Sequence, residues 1–286
     1  MKTENFRVRA GDRNARTRYK PDYRGPFAGK AEAVERLQRG LERLDALQER
    51  LYAHGRYSLL IVLQGMDASG KDGAIKHVCS GLNPQGTEVH AFKAPTGEEL
   101  DHDYLWRAAR VLPARGRVGV FNRSHYEEVL VVRVHPHLLA AERLPPEMLT
   151  ADVWQQRYED INAFERQLWR NGTIIRKFFL NISRREQQRR LLERLEDPAK
   201  RWKFSAGDLL ERARWKDYMS AYDEAMAATS HKHAPWYVIP ADHKWLAHVL
   251  VGEILVEALE GLALTPPKLS RQRRREIDQA RHALER

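Results

Sequence analysis

Residues 58–63 (SLLIVL) form a continuous apolar run that leads directly into Gly65-Met66-Asp67-Ala68-Ser69-Gly70-Lys71-Asp72-Gly73. A short run without polar alternation fits a central strand buried on both faces, as in a parallel sheet. The loop after it contains G-x-x-x-x-G-K, the spacing of a Walker A phosphate loop, and a helical stretch over 73–81 follows. Glycines let the backbone curl so that consecutive N–H groups converge on phosphate oxygens. The next helix adds its positive N-terminal end. Gly65, Ala68, Ser69, Gly70, Asp72 and Gly73 are therefore expected to bind phosphate, with Lys71 reaching the terminal groups. The spacing alone arises by chance roughly one time in ten in a chain this long, taking Gly near 7%. Its position between a buried strand and a helix is what gives it meaning; the alternative is a Gly-rich turn beside a solvated lysine.

Two residues depart from the common form of the loop. Asp72 follows the lysine, where nucleoside triphosphatases usually place a Ser or Thr that holds magnesium. Asp67 sits inside the loop, where a carboxylate repels phosphate unless a cation or proton lies between. Magnesium ligation by Asp67 resolves the conflict, because hard divalent cations take oxygen ligands. A loop-stabilising Asx turn is the competing role.

The rest of the chain alternates strands and helices. Strand candidates are 87–92, 117–121, 173–182 and 236–239; helical patterns cover 98–110, 151–170, 184–195, 208–229 and 245–262. Such alternation predicts a parallel sheet with helices on both faces. Before it, Val34, Leu37, Leu41, Leu44, Leu47 and Leu51 recur at three- and four-residue steps, one face of an amphipathic helix over 30–52. That face packs either on its own domain or on another subunit. The organisation expected is an arm and helix over 1–55, a P-loop domain over 56–264 with a lid at about 184–210, and a basic tail over 265–286.

Composition narrows the partners. Forty-nine Lys and Arg against 39 Asp and Glu give a formal charge of +10, which attracts polyanions. Part of the excess is the run RQRRR at 271–275. No stretch approaches the roughly 18 apolar residues that a membrane helix needs, and the N-terminus lacks an apolar signal core. A cytoplasmic protein without membrane association is expected. The single cysteine, Cys79, reads as a small buried hydrophobe rather than a reactive thiol.

The strand at 117–121 leads into FNRSHYEEVLVVRVH (121–135). Ligands gather at the carboxyl ends of strands in open α/β sheets. A Walker B strand would end there on an acidic residue, whereas this chain carries Asn122 and then Arg123. The pairing of GMDASGKDG with this segment resembles the type 2 polyphosphate kinase family. Further matches are Lys93-Ala94-Pro95-Thr96, Asn181-Ile182-Ser183 leading to Glu186-Gln187, Asp197-Pro198 through Lys200-Arg201-Trp202-Lys203-Phe204, and His233 to Asp242. The resemblance spans roughly residues 30–262. It implies a thymidylate-kinase-like, three-layer P-loop fold with a central parallel sheet, helical lid and helical N-terminal extension. It also implies Mg2+ dependence, phosphate transfer between inorganic polyphosphate and AMP, ADP or ATP, and a homo-oligomer. FNRSHYE further resembles the subgroup that acts on both AMP and ADP.

The catalytic set expected from the combined reading is Asp67, Lys71, Asn122, Arg123, Glu127 and Arg133, with Asp67 as metal ligand. Lys76 and Lys93 are added as phosphate contacts, and Thr96 and Glu127 as nucleotide contacts. Arg184, Arg189, Arg194, Lys200 and Lys203 supply the cations of a lid that closes over the phosphates and excludes water. Pro198 is expected to end one lid helix and Asp208 to cap the next. His125, His135 and His137 lack metal-site spacing, and Trp202, Trp215, Trp236 and Tyr237 read as core. Two other functions compete. An ATP-dependent kinase shares the loop, but the missing Ser or Thr after Lys71 and the many lid cations count against it. A non-catalytic nucleic-acid-binding protein would leave the Walker loop idle and shows no recognised signature, so no specific nucleic-acid partner is expected.

Overall fold

Strand β1 (Ser58–Gln64) is buried along its whole length and lies at the centre of the sheet. The computed structural model describes residues 2–285. In chain order helix α1 (Lys30–His54) precedes β1, and helix α2 (Lys71–Val78) and strand β2 (Thr87–Ala91) follow it. Two single-turn helices, α3 (Gly97–Leu100) and α4 (Trp106–Ala109), then lead to β3 (Val118–Asn122) and α5 (Glu127–Val134). Next come α6 (Val153–Arg170), β4 (Thr173–Asn181), α7 (Arg184–Glu196), α8 (Gly207–Ala213) and α9 (Trp215–Thr229). Strand β5 (Trp236–Pro240), α10 (Lys244–Glu260) and α11 (Arg271–Leu284) complete the chain.

All strand pairs are parallel, in the order β2-β3-β1-β4-β5. Helices α2 and α10 cover one face, and α5, α6 and α9 pack together on the other, giving the three layers. The register sets Leu63 opposite Asn122, so the segments leaving β1 and β3 emerge side by side. Chain connections leave β1 towards β2 on one side and the strand order continues to β4 on the other, the crevice in which α/β sheets bind ligands.

Helix α10 is apolar on nearly every face because it is enclosed by the sheet, α2 and α1. Its second cover is the N-terminal helix: Leu41, Leu44, Leu47 and Leu51 are buried against the chain's own core. Each such leucine contributes about 1.5–3 kcal/mol. The stripe thus packs on its own chain, although Val34 at its start is exposed.

The structure reshapes several expected elements. The helix over 98–110 is two single turns separated by residues 101–105, and the helix over 208–229 breaks at Arg214. Asp208 lies in the first turn of α8 rather than capping it. Helix α7 ends at Glu196, as Pro198 requires. Helix α5 had no counterpart in the sequence pattern, since its VLVV run carries no helical period. The arm over 2–28 is ordered: Val8 N donates to Trp236 O at 2.9 Å and Arg7 bridges Tyr237, so the arm shields the β5 edge. Phe6 and Val8 are buried there. Residues 271–284 of the basic tail form a fully exposed helix. Trp236 and Tyr237 are core as expected, whereas Trp202 is 78% exposed. Burial pushes the Cys79 thiol up to about 11, which leaves it unreactive.

Candidate active site

The loop between β1 and α2 adopts a conformation that few sequences tolerate. Gly65 has φ +151°, and a Cβ there would lie 2.8 Å from Ser69 Oγ and 3.0 Å from Leu180 O. Gly70 has φ +108°, and Ala68 takes φ 60° without being glycine. A left-handed non-glycine residue costs about 1–3 kcal/mol, so the surrounding contacts must hold it.

Lys71 starts α2 and folds back into the loop. Its Nζ donates to Gly65 O at 2.6 Å and to Met66 O at 3.2 Å, and the side chain is buried. Burial draws its ammonium down to about 8, with the Arg123 charge adding to the effect; Asp67, Glu127 and Asp72 oppose it. Ser69 Oγ is buried and has no hydrogen-bond partner among the described residues.

The end of β3 supplies the facing wall. Arg123 also takes a left-handed conformation, φ 62°, while its N–H continues the ladder to Leu63 O at 3.0 Å. Its guanidinium donates to Asp67 Oδ1 at 2.8 Å and lies 3.5 Å from Glu127 Oε2. Burial pushes the Glu127 carboxyl above the usual carboxylate range, against the attraction of Arg123 and Lys71. Asn122 Nδ2 donates to Asp72 Oδ1 at 2.8 Å, so the amide accommodates a carboxylate that a second acid would repel. Asp67, Lys71, Asp72, Asn122, Arg123 and Glu127 therefore converge.

Beneath this cluster lies a polar network that sequence patterns do not reveal. Lys177 on β4 is fully buried; its Nζ donates to Glu165 Oε2 at 2.5 Å, Tyr126 Oη at 2.8 Å and Thr229 O at 2.8 Å. Tyr126 Oη donates to Glu165 Oε1 at 2.8 Å, which fixes the residue immediately before Glu127. His125 is buried beside it, 3.7 Å from Glu165.

Arg123 and Glu127 also border a cavity of about 340 Å³. Its walls include Leu100, Tyr104, Val131, Val132 and Leu138, with Lys93 and Glu128 at polar positions. Burial and the neighbouring Glu142 push the Glu128 carboxyl up to about 7. Thr96 is not on this wall: its hydroxyl accepts from Glu99 N at 3.4 Å while Glu99 Oε2 accepts from Thr96 N at 2.8 Å, a capping box for α3.

Several other expected site residues lie elsewhere. Arg133 pairs with Glu224 at 2.5 Å, stands over the Trp154 ring and lines a different cavity. Gly73 faces His248 on α10, and Lys76 is exposed on α2. Arg189 pairs with Glu186 and Glu193 on the outside of α7. Lys200 pairs with Asp197 at 2.7 Å, Lys203 stands over Trp202, and Arg184 is exposed at the start of α7. Arg194 reaches Asp208 of α8 at 3.3 Å. Burial and Asp67 push the Asp208 carboxyl upward, while Arg194, Arg123 and Lys71 oppose this, which brings α8 into the electrostatic range of the loop. Nothing in the sequence singled out Asp208 for more than a cap.

The family model of polyphosphate kinase 2 matches residues 28–265. The chain belongs to the polyphosphate kinase 2 family. Membership bears out the resemblance carried by GMDASGKDG and FNRSHYEEVLVVRVH. Among its relatives, an ADP-polyphosphate phosphotransferase of Rhodopseudomonas palustris is 46% identical over 285 residues, 99% of each chain. An AMP/ADP-polyphosphate phosphotransferase of Meiothermus ruber is 49% identical over 264 residues, 92% of this chain and 95% of the relative. The crystal structure of polyphosphate kinase 2 from Arthrobacter aurescens TC1 superposes with a TM-score of 0.86 at 43% identity, covering 97% of this chain and 96% of that one. This polyphosphate kinase 2 family member therefore shares its architecture with its relatives over nearly its full length. Among the described residues no helix is long and apolar enough to cross a membrane.

Proposed function

We propose that this chain moves the terminal phosphoryl group of inorganic polyphosphate onto a nucleotide, accepting both ADP and AMP, within a thymidylate-kinase-like P-loop fold. The observation that carries this reading is one shared boundary. Arg123 and Glu127 belong both to the cationic loop cluster and to the rim of the apolar cavity. A polyanion in the loop and a nucleoside in the cavity would then present their phosphates to each other across Arg123. Family membership supports polyphosphate as donor. The relatives named for ADP and for AMP/ADP, together with FNRSHYE, support both acceptors.

In the reaction, a phosphate oxygen of the nucleotide attacks the terminal phosphorus of the polyphosphate in line. The P–O anhydride bond breaks, leaving a chain shorter by one phosphate and a nucleotide longer by one. The attacking oxygen is already ionised near neutral pH, so positioning and charge neutralisation carry the catalysis. The loop N–H groups and Lys71 hold the donor end. Arg123 stands where the transferring group passes, and the C-terminal end of α7, its connection and α8 act as a lid over the loop.

The carboxylates fit a magnesium ion. Among the described residues no three His, Cys, Asp or Glu side chains gather to hold a metal alone. Magnesium characteristically takes one or two carboxylates with substrate phosphates and water. Asp67 would hold it, and the ion would neutralise phosphate charge. Asp72, tied to Asn122, occupies the position that is usually a hydroxyl ligand.

Turnover of AMP and of ADP with polyphosphate or ATP as donor tests this reading. Product with polyphosphate, and none above background with ATP, supports it. The reverse pattern replaces it with an ATP-dependent kinase.

A further inference from the structure

A phosphate loop that turns its N–H groups inward must turn carbonyls outward, and buried carbonyls need donors. In this chain three consecutive loop carbonyls find them on one helix. Gln187 Nε2 donates to Asp67 O at 3.0 Å. Arg190 Nη1 donates to Ala68 O and to Ser69 O, both at 3.0 Å. The other terminal nitrogen of Arg190 donates to Ala241 O at 2.6 Å and Asp242 O at 2.9 Å, beyond β5. Both side chains are buried, Gln187 at 0% and Arg190 at 4% exposure. Glu186 orients the guanidinium through Nε at 2.7 Å.

We propose that Gln187 and Arg190 are positioning residues that hold the strained phosphate loop, making the first two turns of α7 a fixed support of the loop and not part of the moving lid. The middle one of the three clamped carbonyls belongs to Ala68, whose left-handed backbone has to be stabilised from outside. The clamp grips the loop closely: a Cβ on Gly70 would lie 3.5 Å from Arg190 Nη1. A lysine at 190 would bring a single ammonium to sites that a planar fork with several donors now satisfies.

Gln187 also links the loop to the lid. Arg212 Nη1 on α8 donates to Gln187 Oε1 at 2.7 Å and to Arg184 O at 2.8 Å. A guanidinium can only donate, so it selects the amide orientation with oxygen towards Arg212 and nitrogen towards the Asp67 carbonyl. With α8 docked, the peptide of Asp67 is held in place; without Arg212 the amide is free to turn. The lid would thereby set the loop residue to which magnesium ligation is assigned.

This inference rests on the proposed use of the loop as a polyphosphate site, and the experiment keeps the two apart. Binding of inorganic tripolyphosphate with magnesium is measured by titration calorimetry for the wild type, Gln187→Glu, Arg190→Ala and Arg212→Met, with thermal melts and steady-state kinetics alongside. Gln187→Glu keeps the acceptor for Arg212 and loses the donor for Asp67. It is expected to weaken tripolyphosphate binding at least tenfold and to lower kcat at least tenfold, with the nucleotide KM within twofold and Tm within a few degrees of wild type. Arg190→Ala is expected to regain at least fivefold activity with millimolar guanidinium, which does not stimulate the wild type. Arg212→Met is expected to lose its effect in a Gln187→Leu background. Wild-type binding to tripolyphosphate with Gln187→Glu binding and turning over within twofold of it would overturn the inference, as would Arg190→Ala without guanidinium rescue. A wild type that binds no tripolyphosphate would instead sink the reading of the loop.

Discussion

Replacing Lys177 by Met tests whether the buried network beneath the site behaves as a coupled unit. Lys177 Nζ has partners at 2.5, 2.8 and 2.8 Å, and both Lys177 and Glu165 are essentially inaccessible. Burial draws the Lys177 ammonium downward while Glu165 holds it up. Met fills a similar volume, so the cost is electrostatic: the Glu165 carboxylate stays in the core without its counter-charge. Breaking a buried pair in this way costs about 3–5 kcal/mol. At about 2 °C per kcal/mol for a chain of this size, Tm should fall by about 6–10 °C. Lys177→Met/Glu165→Leu removes both charges and should be no less stable than Lys177→Met alone, because charge-free replacements of buried pairs are often neutral. Thermal and urea unfolding of the two single variants and the double variant measure the coupling. A loss under about 1 kcal/mol for Lys177→Met, or a double variant equal to the sum of the singles, would refute the argument.

Three further outcomes follow from the site. Gly65→Ala places a Cβ 2.8 Å from Ser69 Oγ at a φ of +151°, so kcat/KM should fall more than about 100-fold, with a stability loss of about 1–3 kcal/mol seen by melting. Glu128 titrates at about 7 in the folded chain, from an ordinary value of 4.5, and is 6% exposed. Its protonated form is the favoured one, so its contribution is complete below pH about 4.5 and is lost as pH rises to about 7, a change on the order of 3 kcal/mol. Glu128→Gln should flatten that part of the stability profile measured by urea titration; an unchanged profile would assign the loss to other groups. Lys71, drawn down to about 8, should lose its charge above that pH in the ligand-free enzyme. The Kd for tripolyphosphate, measured by calorimetry, should then rise about tenfold per pH unit well above 8, while Lys71→Ala binds it weakly and without this pH dependence.

The parts of the fold that sequence revealed are those where one residue pattern has one physical solution. SLLIVL, followed at once by the glycine spacing of a phosphate loop, fits a doubly buried strand, and that spacing fits a curled loop. The apolar steps of α1 matched a helix face, but only the structure shows that α10 is its partner. Helix α5 escaped notice because Val129, Leu130, Val132 and Val134 are buried where α9 and α6 pack on it, so no regular polar face marks a period. In the site, Asp67, Lys71 and Arg123 were legible because a charge inside or beside a phosphate loop needs a reason. Charges on surface helices were not: Arg189, Lys200 and Lys203 are absorbed by neighbouring groups, a pairing that depends on rotamers and local packing. Thr96 has the same chemistry as a ligand contact and as a helix cap, and only the position of Glu99 distinguishes them. Gln187 and Arg190 reach loop carbonyls about 120 residues away, and Lys177 pairs with Glu165 from a different element, relations that a single sequence does not encode visibly.

Nucleotide formation in an ATP-free mixture tests the central claim most directly. Purified protein is incubated with magnesium, long-chain polyphosphate and either AMP or ADP, and the nucleotides are resolved chromatographically over time. The account predicts ADP from AMP and ATP from ADP, each lost in Lys71→Ala with the fold retained. A folded wild-type protein that forms neither product would contradict it.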